Sequence, residues 1–239
     1  WAIVVILSFL VLDIAVFAYT ARVLTSGADS VLGELEVRNT YVGLEELYAE
    51  GVVKSSRYEP LINRPRVIAQ VTSVEPNKIY PVDQLRKLSD VGRLSPPDFH
   101  LQVSPNTSTI SQFRVLDFGM ERCQLAIRLP AANATLEYPF AFQSGAEGDV
   151  RLDICKLQTD PKRPLDARKL SWRSKPRCAK KVGTLVVRPG AEATLAEFSC
   201  RWGEHHAFEV TCADPECLLD VRGTQFEPWG VFMYQHQTV

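Results

Sequence analysis

Apolar and polar positions divide the chain into unlike stretches. From Trp1 to Tyr19 the only charge is Asp13. A membrane span needs roughly 20 mostly apolar residues. Asp13 costs about 2.5–3.5 kcal/mol at a helix centre, and the large apolar residues before it offset that. Residues 1–22 are therefore read as a transmembrane signal-anchor. A cleavable signal peptide with Ala18 at the cut is the second reading. A buried soluble helix is the third, disfavoured because it would carry a polar face. The chain opens on Trp1 and not Met, so the apolar run is expected to extend upstream.

A polar break, TSGADS, follows. In NTYVGLEELYAEG, Tyr41, Leu44, Leu47 and Tyr48 share one helical face. Asn39 or Thr40 is placed to cap the start and Gly51 to end it. This predicts one short amphipathic helix that packs on its own domain or on a partner. Prolines 60, 65, 76, 81, 96, 97 and 105 then forbid any long helix. The run RVIAQVTSV alternates as a strand. Residues 23–105 are read as a lumenal helix and a proline-rich arm. Its apolar Val67, Ile68, Ile79 and Tyr80 favour an arm laid along a folded domain.

Beyond residue 106 the period becomes two. Leu125, Ile127 and Leu129 alternate with polar neighbours, as do Val150, Leu152 and Ile154. ISQFRVLDF, GTLVVR, ATLAEFSC, AFEVTC, CLLDVRG and WGVFMYQHQ complete about eight short strands. The fold class expected is all-β: a disulfide-stapled β-sandwich or jelly roll over residues 106–239.

Net charge, −1, is too balanced for the whole chain to bind nucleic acid. The charge is not evenly spread. Residues 160–181 hold nine Lys or Arg against two Asp, with Trp172 among them. The plain reading is a solvated loop tied by Cys178. The sharper one is a patch for an anionic partner: a head group, an acidic glycan or an acidic protein.

Six cysteines, all beyond Arg114, fit an oxidising lumen, as do the sequons at Asn106 and Asn133. The expected location is the secretory pathway, with the C-terminal domain lumenal or extracellular. CRWGEHHAFEVTCADPEC poses a choice between metal and disulfide. His205 and His206 are adjacent, so in a strand they point to opposite faces. Cys212 and Cys217 flank ADPE, which reads as a four-residue hairpin loop that sets them opposite each other for a disulfide. Cys123, Cys155, Cys178 and Cys200 leave three pairings open. Cys155 with Cys178 would staple the basic loop, and Cys123 with Cys200 would then join strands.

Asp117-Phe118-Gly119 lacks every companion of a kinase site and is read as chance within a strand. Asp214 with Glu216, or Glu147 with Asp149, could hold calcium but read as turn acids. Trp172, Trp202 and Trp229 could stack on sugar. No catalytic residue, cofactor or metal is assigned. Trp172, Arg173, Lys175, Trp202, His205, His206 and Trp229 are the candidate ligand contacts.

TISQFRVLDFGMERCQLAIRLP, LSWRSKPRC, FSCRWGEHHAFEVTC and WGVFMYQHQT together resemble fungal, basidiomycete-type predicted proteins. These carry the "ubiquitin 3 binding protein But-two" C-terminal domain, and the resemblance covers roughly residues 60–239. It implies a β-sandwich and transfers no catalytic motif. Its name implies ubiquitin-like conjugation, but a cysteine-rich lumenal domain does not meet a cytosolic activating enzyme. The expected function is therefore non-catalytic binding of a protein or glycan by a membrane-anchored domain. The rival is a membrane-anchored lumenal enzyme, glycan-active or tailoring a secondary metabolite, built on His205, His206 and nearby carboxylates. A carbohydrate-binding module is a third.

Overall fold

An apolar run without proline has no reason to stop, and the first helix, α1 (Ala2–Glu34), continues through the polar TSGADS. Its single glycine there costs only about 1 kcal/mol against alanine. The computed structural model describes residues 1–34, 40–51, 53–82, 84–144, 148–224 and 226–239. Within α1, Ala2–Leu24 is long and apolar enough to cross a membrane, and none of its apolar window is buried. The second helix, α2 (Leu44–Ala49), starts later than its sequence suggests. Gly43, at φ 79°, takes the cap position without any side-chain cap, in place of Thr40; Asn39 lies outside the described residues. Gly51, at φ 67°, ends the helix as expected. No residue of α2 is buried. Both helices belong to a compact unit, Trp1–Val53, and all that follows belongs to a second, Lys54–Val239.

The second unit is all-β. Its described strands are β1 (Leu61–Asn63), β2 (Val67–Thr72), β3 (Lys87–Ser89), β4 (Gly92–Leu94), β5 (Phe99–Val103), β6 (Thr107–Arg114), β7 (Arg122–Arg128), β8 (Ala141–Gln143), β9 (Val150–Leu157), β10 (Cys178–Val187), β11 (Glu192–Thr194), β12 (Phe198–Ser199), β13 (His205–Cys212), β14 (Leu218–Gly223) and β15 (Gly230–His236). One 3₁₀ turn, η1 (Ala167–Lys169), lies between β9 and β10. One sheet runs β1-β15-β7-β11, with β12 also on β7; a second runs β10-β9-β13-β6-β2; a third runs β5-β14-β8. Each described pairing is antiparallel. The expected arm thus supplies strands: β2 lies on β6, β1 on β15 and β5 on β14.

The period-two sets fill one core. Leu125 and Ile127 of β7 with Val231 and Met233 of β15 face Phe113, Leu152, Ile154, Phe208 and Val210 of the second sheet. Leu101, Val103, Leu219 and Val221 bring the third sheet into the same core. This is the sandwich-like packing that alternating strands require.

Three disulfides staple it: Cys123–Cys200, Cys155–Cys178 and Cys212–Cys217. The last pairing agrees with the sequence, but the hairpin around it does not. β13 already has β6 on one edge and β9 on the other. With both edges used, β14 crosses to pair with β5 and β8. Cys212–Cys217 therefore braces a corner between sheets. Asp117-Phe118-Gly119 also leaves its expected strand. β6 ends at Arg114, and Asp117 turns the chain at φ 62°.

Candidate binding surface

Residues 160–181 read as a basic loop, but Cys178–Lys181 belong to β10, and the loop proper is 158–177. In the structure one side of it is buried. Leu170 joins Ala69, Val71, Ile110, Leu157 and Ala207 in a second small core on the outer face of the β10-β9-β13-β6-β2 sheet. Leu165 and Trp172 pack against that core. Four main-chain ties reinforce it. The Leu165 N–H donates to Gln112 Oε1 at 2.8 Å, and Gln158 N–H to the Arg177 carbonyl at 2.9 Å. His205 N–H donates to the Pro161 carbonyl at 2.7 Å, and Lys175 N–H to that of Ser171 at 2.9 Å. Cys155–Cys178 closes the base.

The strongest tie is ionic. Glu209 lies on the outer face of β13 with its side chain 7% exposed, and Lys175 pairs with it. Ser108 Oγ donates to Glu209 Oε1 at 2.6 Å. The Lys175 ammonium sits 3.6 Å from the centroid of the Trp172 ring. Lys175 and Trp172, both candidate ligand contacts, are thereby committed to holding the loop. Arg168, Lys169 and Arg173 remain outward and exposed.

The Arg173 N–H reaches the Pro76 carbonyl at 3.0 Å, and residues 79–82 and 86 lie alongside Arg168 of η1. Between them opens a shallow cleft of about 430 Å³, lined by Ile79, Tyr80, Pro81, Val82, Arg86 and Arg168. Its far wall is held through Gln84, which accepts from Arg222 Nη2 at 3.2 Å. Sequence reasoning did not find this cleft. The signal was two arginines 82 positions apart, and only the tertiary fold brings 86 and 168 together.

Arg222 is the centre of a second arrangement that sequence reasoning missed. Its Nε lies 3.3 Å from Asp98 Oδ1 and its Nη2 lies 3.1 Å from His100 Nδ1. Its guanidinium carbon lies 5.4 Å from the Tyr138 ring centroid. A guanidinium can only donate, so His100 Nδ1 accepts and its Nε2–H donates to Asp220 Oδ1 at 2.8 Å. Gln102 Nε2 donates to the other Asp220 oxygen at 3.1 Å. Burial pushes the Asp98 carboxyl up, while Arg222 and then His100 pull it down. The cross-strand register explains the cluster, since His100 faces Arg222 and Gln102 faces Asp220.

The two adjacent histidines separate as strand parity requires. His205 Nδ1 lies 3.1 Å from the Pro161 carbonyl on the loop side. His206 points inward, 5% exposed, edge-on to Phe198 at 5.5 Å. Its Nε2 lies 3.3 Å from Glu204 Oε2. Burial pulls its pKa down to about 4, with Lys156 assisting and Glu204 opposing. A folded-state value below the unfolded 6.5 means that the unfolded chain binds the proton first. Stability is therefore full above pH 6.5 and falls as pH drops toward 4, by up to about 3 kcal/mol. His206→Gln should flatten that part of the stability–pH curve, read from urea midpoints at pH 7 and pH 4.5. An equal slope in both proteins would refute the assignment.

The tryptophans occupy three different settings. Trp172 lies on the second core. The main-chain N–H of Trp202 donates to Glu121 Oε1 at 2.9 Å. Trp229 packs on the main core, its Nε1 donating to Glu227 at 2.8 Å. Asn106 and Asn133 are both exposed. Among the turn acids, Asp214 takes Arg151 in a two-bond fork at 2.9 and 2.6 Å, and Asp149 pairs with Arg188. Both carboxyls are held below their usual range, chiefly by those arginine hydrogen bonds. Glu147 lies outside the described residues. Among the described residues, no three His, Cys, Asp or Glu gather as a metal-binding group.

Comparison with known proteins gives one family. The model of the ubiquitin 3 binding protein But2 C-terminal domain matches residues 63–220. It runs from the end of β1 into β14 and takes in the cleft, the basic loop and all four Arg222 partners, Gln84, Asp98, His100 and Tyr138. No curated protein matches the chain.

Proposed function

We propose, on the premise that the chain belongs to the ubiquitin 3 binding protein But2 C-terminal domain family, that it is a membrane-anchored binding protein of the secretory pathway. Its partner is an anionic protein or glycan. Residues 1–22 anchor it, 23–105 lead into the domain and complete its sheets, and 106–239 supply the rest. Asn106 and Asn133 carry glycans in this reading.

The observation that carries the proposal is the fastening of the basic loop. A loop tied by a disulfide, a buried ion pair and its own small core presents Arg168, Lys169 and Arg173 in a fixed array. Such pre-organisation lowers the ordering cost of binding. The candidate contacts divide accordingly: Arg173 belongs to the outward array, and Trp172 and Lys175 support it. His205 borders the same loop.

The test is a charge reversal, Lys169→Glu with Arg173→Glu, in the full chain. Partners cross-linked to the domain inside the secretory pathway should fall at least tenfold, with the unfolding temperature unchanged. The same partners at the same yield would sink the proposal.

A further inference from the structure

The cleft beside the basic loop carries a more specific chemistry than positive charge. Of its six lining residues, four are apolar or aromatic and two carry guanidiniums. Ile79 and Val82 are 47% and 46% exposed, and Tyr80 and Pro81 complete the wall. Arg86 comes from the segment ahead of β3, and Arg168 from η1 on the opposite side. Both side chains are exposed, and among the described residues neither enters an ion pair. Asp166, the acid nearest Arg168 in sequence, caps η1 through the Arg168 N–H and pairs with Lys169. Among the described residues the two guanidiniums thus have no carboxylate partner and face the open cleft.

We propose that this cleft receives an acidic peptide segment in which aliphatic or aromatic side chains alternate with carboxylates. The inference rests on the binding reading above and names its partner. Three physical arguments select the peptide. Guanidinium forks match carboxylates in geometry as well as charge. The aliphatic part of the wall, Ile79 and Val82, gains most from an apolar side chain, which an acidic polysaccharide lacks. The site is concave and, at about 430 Å³, holds one or two side chains; a bilayer surface is engaged by a protrusion. The chain on either side of the apolar wall is tied to the domain, Pro76 to Arg173 at one end and Gln84 to Arg222 at the other.

The probe is a pool of hexapeptides with glutamate at alternate positions and all residues elsewhere. It is incubated with the full chain in detergent, and the bound fraction is sequenced by mass spectrometry. Leu, Ile, Phe and Tyr should be enriched at the free positions at least fivefold over Ser and Asn. Arg86→Glu or Arg168→Glu should cut total retention at least tenfold. Ile79→Ser with Val82→Ser should remove the residue preference while keeping much of the charge-driven retention. Lys87→Glu, outside the cleft, should change retention by less than about twofold.

Oligogalacturonate and vesicles of phosphatidylserine are assayed in parallel. Retention of either through Arg86 and Arg168, with the peptide pool unbound, overturns the peptide and leaves the binding reading standing. Peptide retention that ignores Arg86 and Arg168 overturns the site. No retention of any of the three overturns both.

Discussion

Replacing Cys123 and Cys200 together by alanine should cost about 4–5 kcal/mol of stability, the largest effect of any change considered. The bridge closes 77 residues of chain, and the chain-entropy model scales with the logarithm of that length. The same formula gives about 3–4 kcal/mol for Cys155–Cys178, which spans 23 residues, and about 2 kcal/mol for Cys212–Cys217, which spans 5. Burial adds to the first case. Cys123 and Cys200 are both fully inside the main core, so alanine also leaves cavities. Their backbones are neighbours through β7 and β12, where Phe198 faces Cys123. Domains are commonly stable by only 5–15 kcal/mol, so this variant should approach the folding threshold at 37 °C. Urea midpoints of the three double variants test the ranking. If loss of Cys155–Cys178 costs more, loop length is not the controlling quantity.

Arg222→Met should cost about 3–5 kcal/mol, for a different reason. The methionine fills much of the same volume but leaves Asp98 as a carboxylate in a poorly solvated place. Asp98 and Arg222 side chains are 11% and 16% exposed. Breaking a buried pair from one side strands the remaining charge. His100 Nδ1 and Gln84 lose their donor as well. Adding Asp98→Asn should restore at least half of the loss, since it removes the stranded charge. The pH dependence gives an independent sign. Without Arg222 the Asp98 carboxyl rises further, so the folded state binds a proton more readily than the unfolded one. The variant's deficit should therefore shrink as pH falls through that raised value, opposite in sense to His206. A deficit that stays constant from pH 7 to pH 4 would show that Arg222 acts by packing alone. Since Gln84 holds one wall of the cleft, Arg222→Met should also weaken peptide retention.

Much of the architecture was legible because it follows from local rules. Apolar periodicity exposed the core sets: Leu125 with Ile127, Leu152 with Ile154, Phe208 with Val210. Strand parity separated His205 from His206. Cysteine count and context pointed to disulfides, and the Cys212–Cys217 pair was correctly identified. One failure was of partnership, and the others were of helix propagation and strand length. A hairpin was expected around ADPE because the two strands are adjacent in sequence. The sheet refused it because β13 had no free edge. TSGADS read as a break because it is polar, but helix propagation needs only the absence of a strong breaker. The short strands β1, β5 and β8 are too brief to carry a period.

The sequence by itself determined an apolar span of membrane-crossing length, an all-β domain, its cysteine chemistry and a cationic loop. These depend on residue type and on spacing over a few positions. Only the tertiary structure decided which cysteines of the remaining four join, where the basic loop lies, and that Arg86 meets Arg168 and Arg222 meets Asp98. Those pairs are separated by 82 and 124 positions. Their proximity is set by sheet order and register, which arise from burying the whole core at once, and no local pattern encodes them.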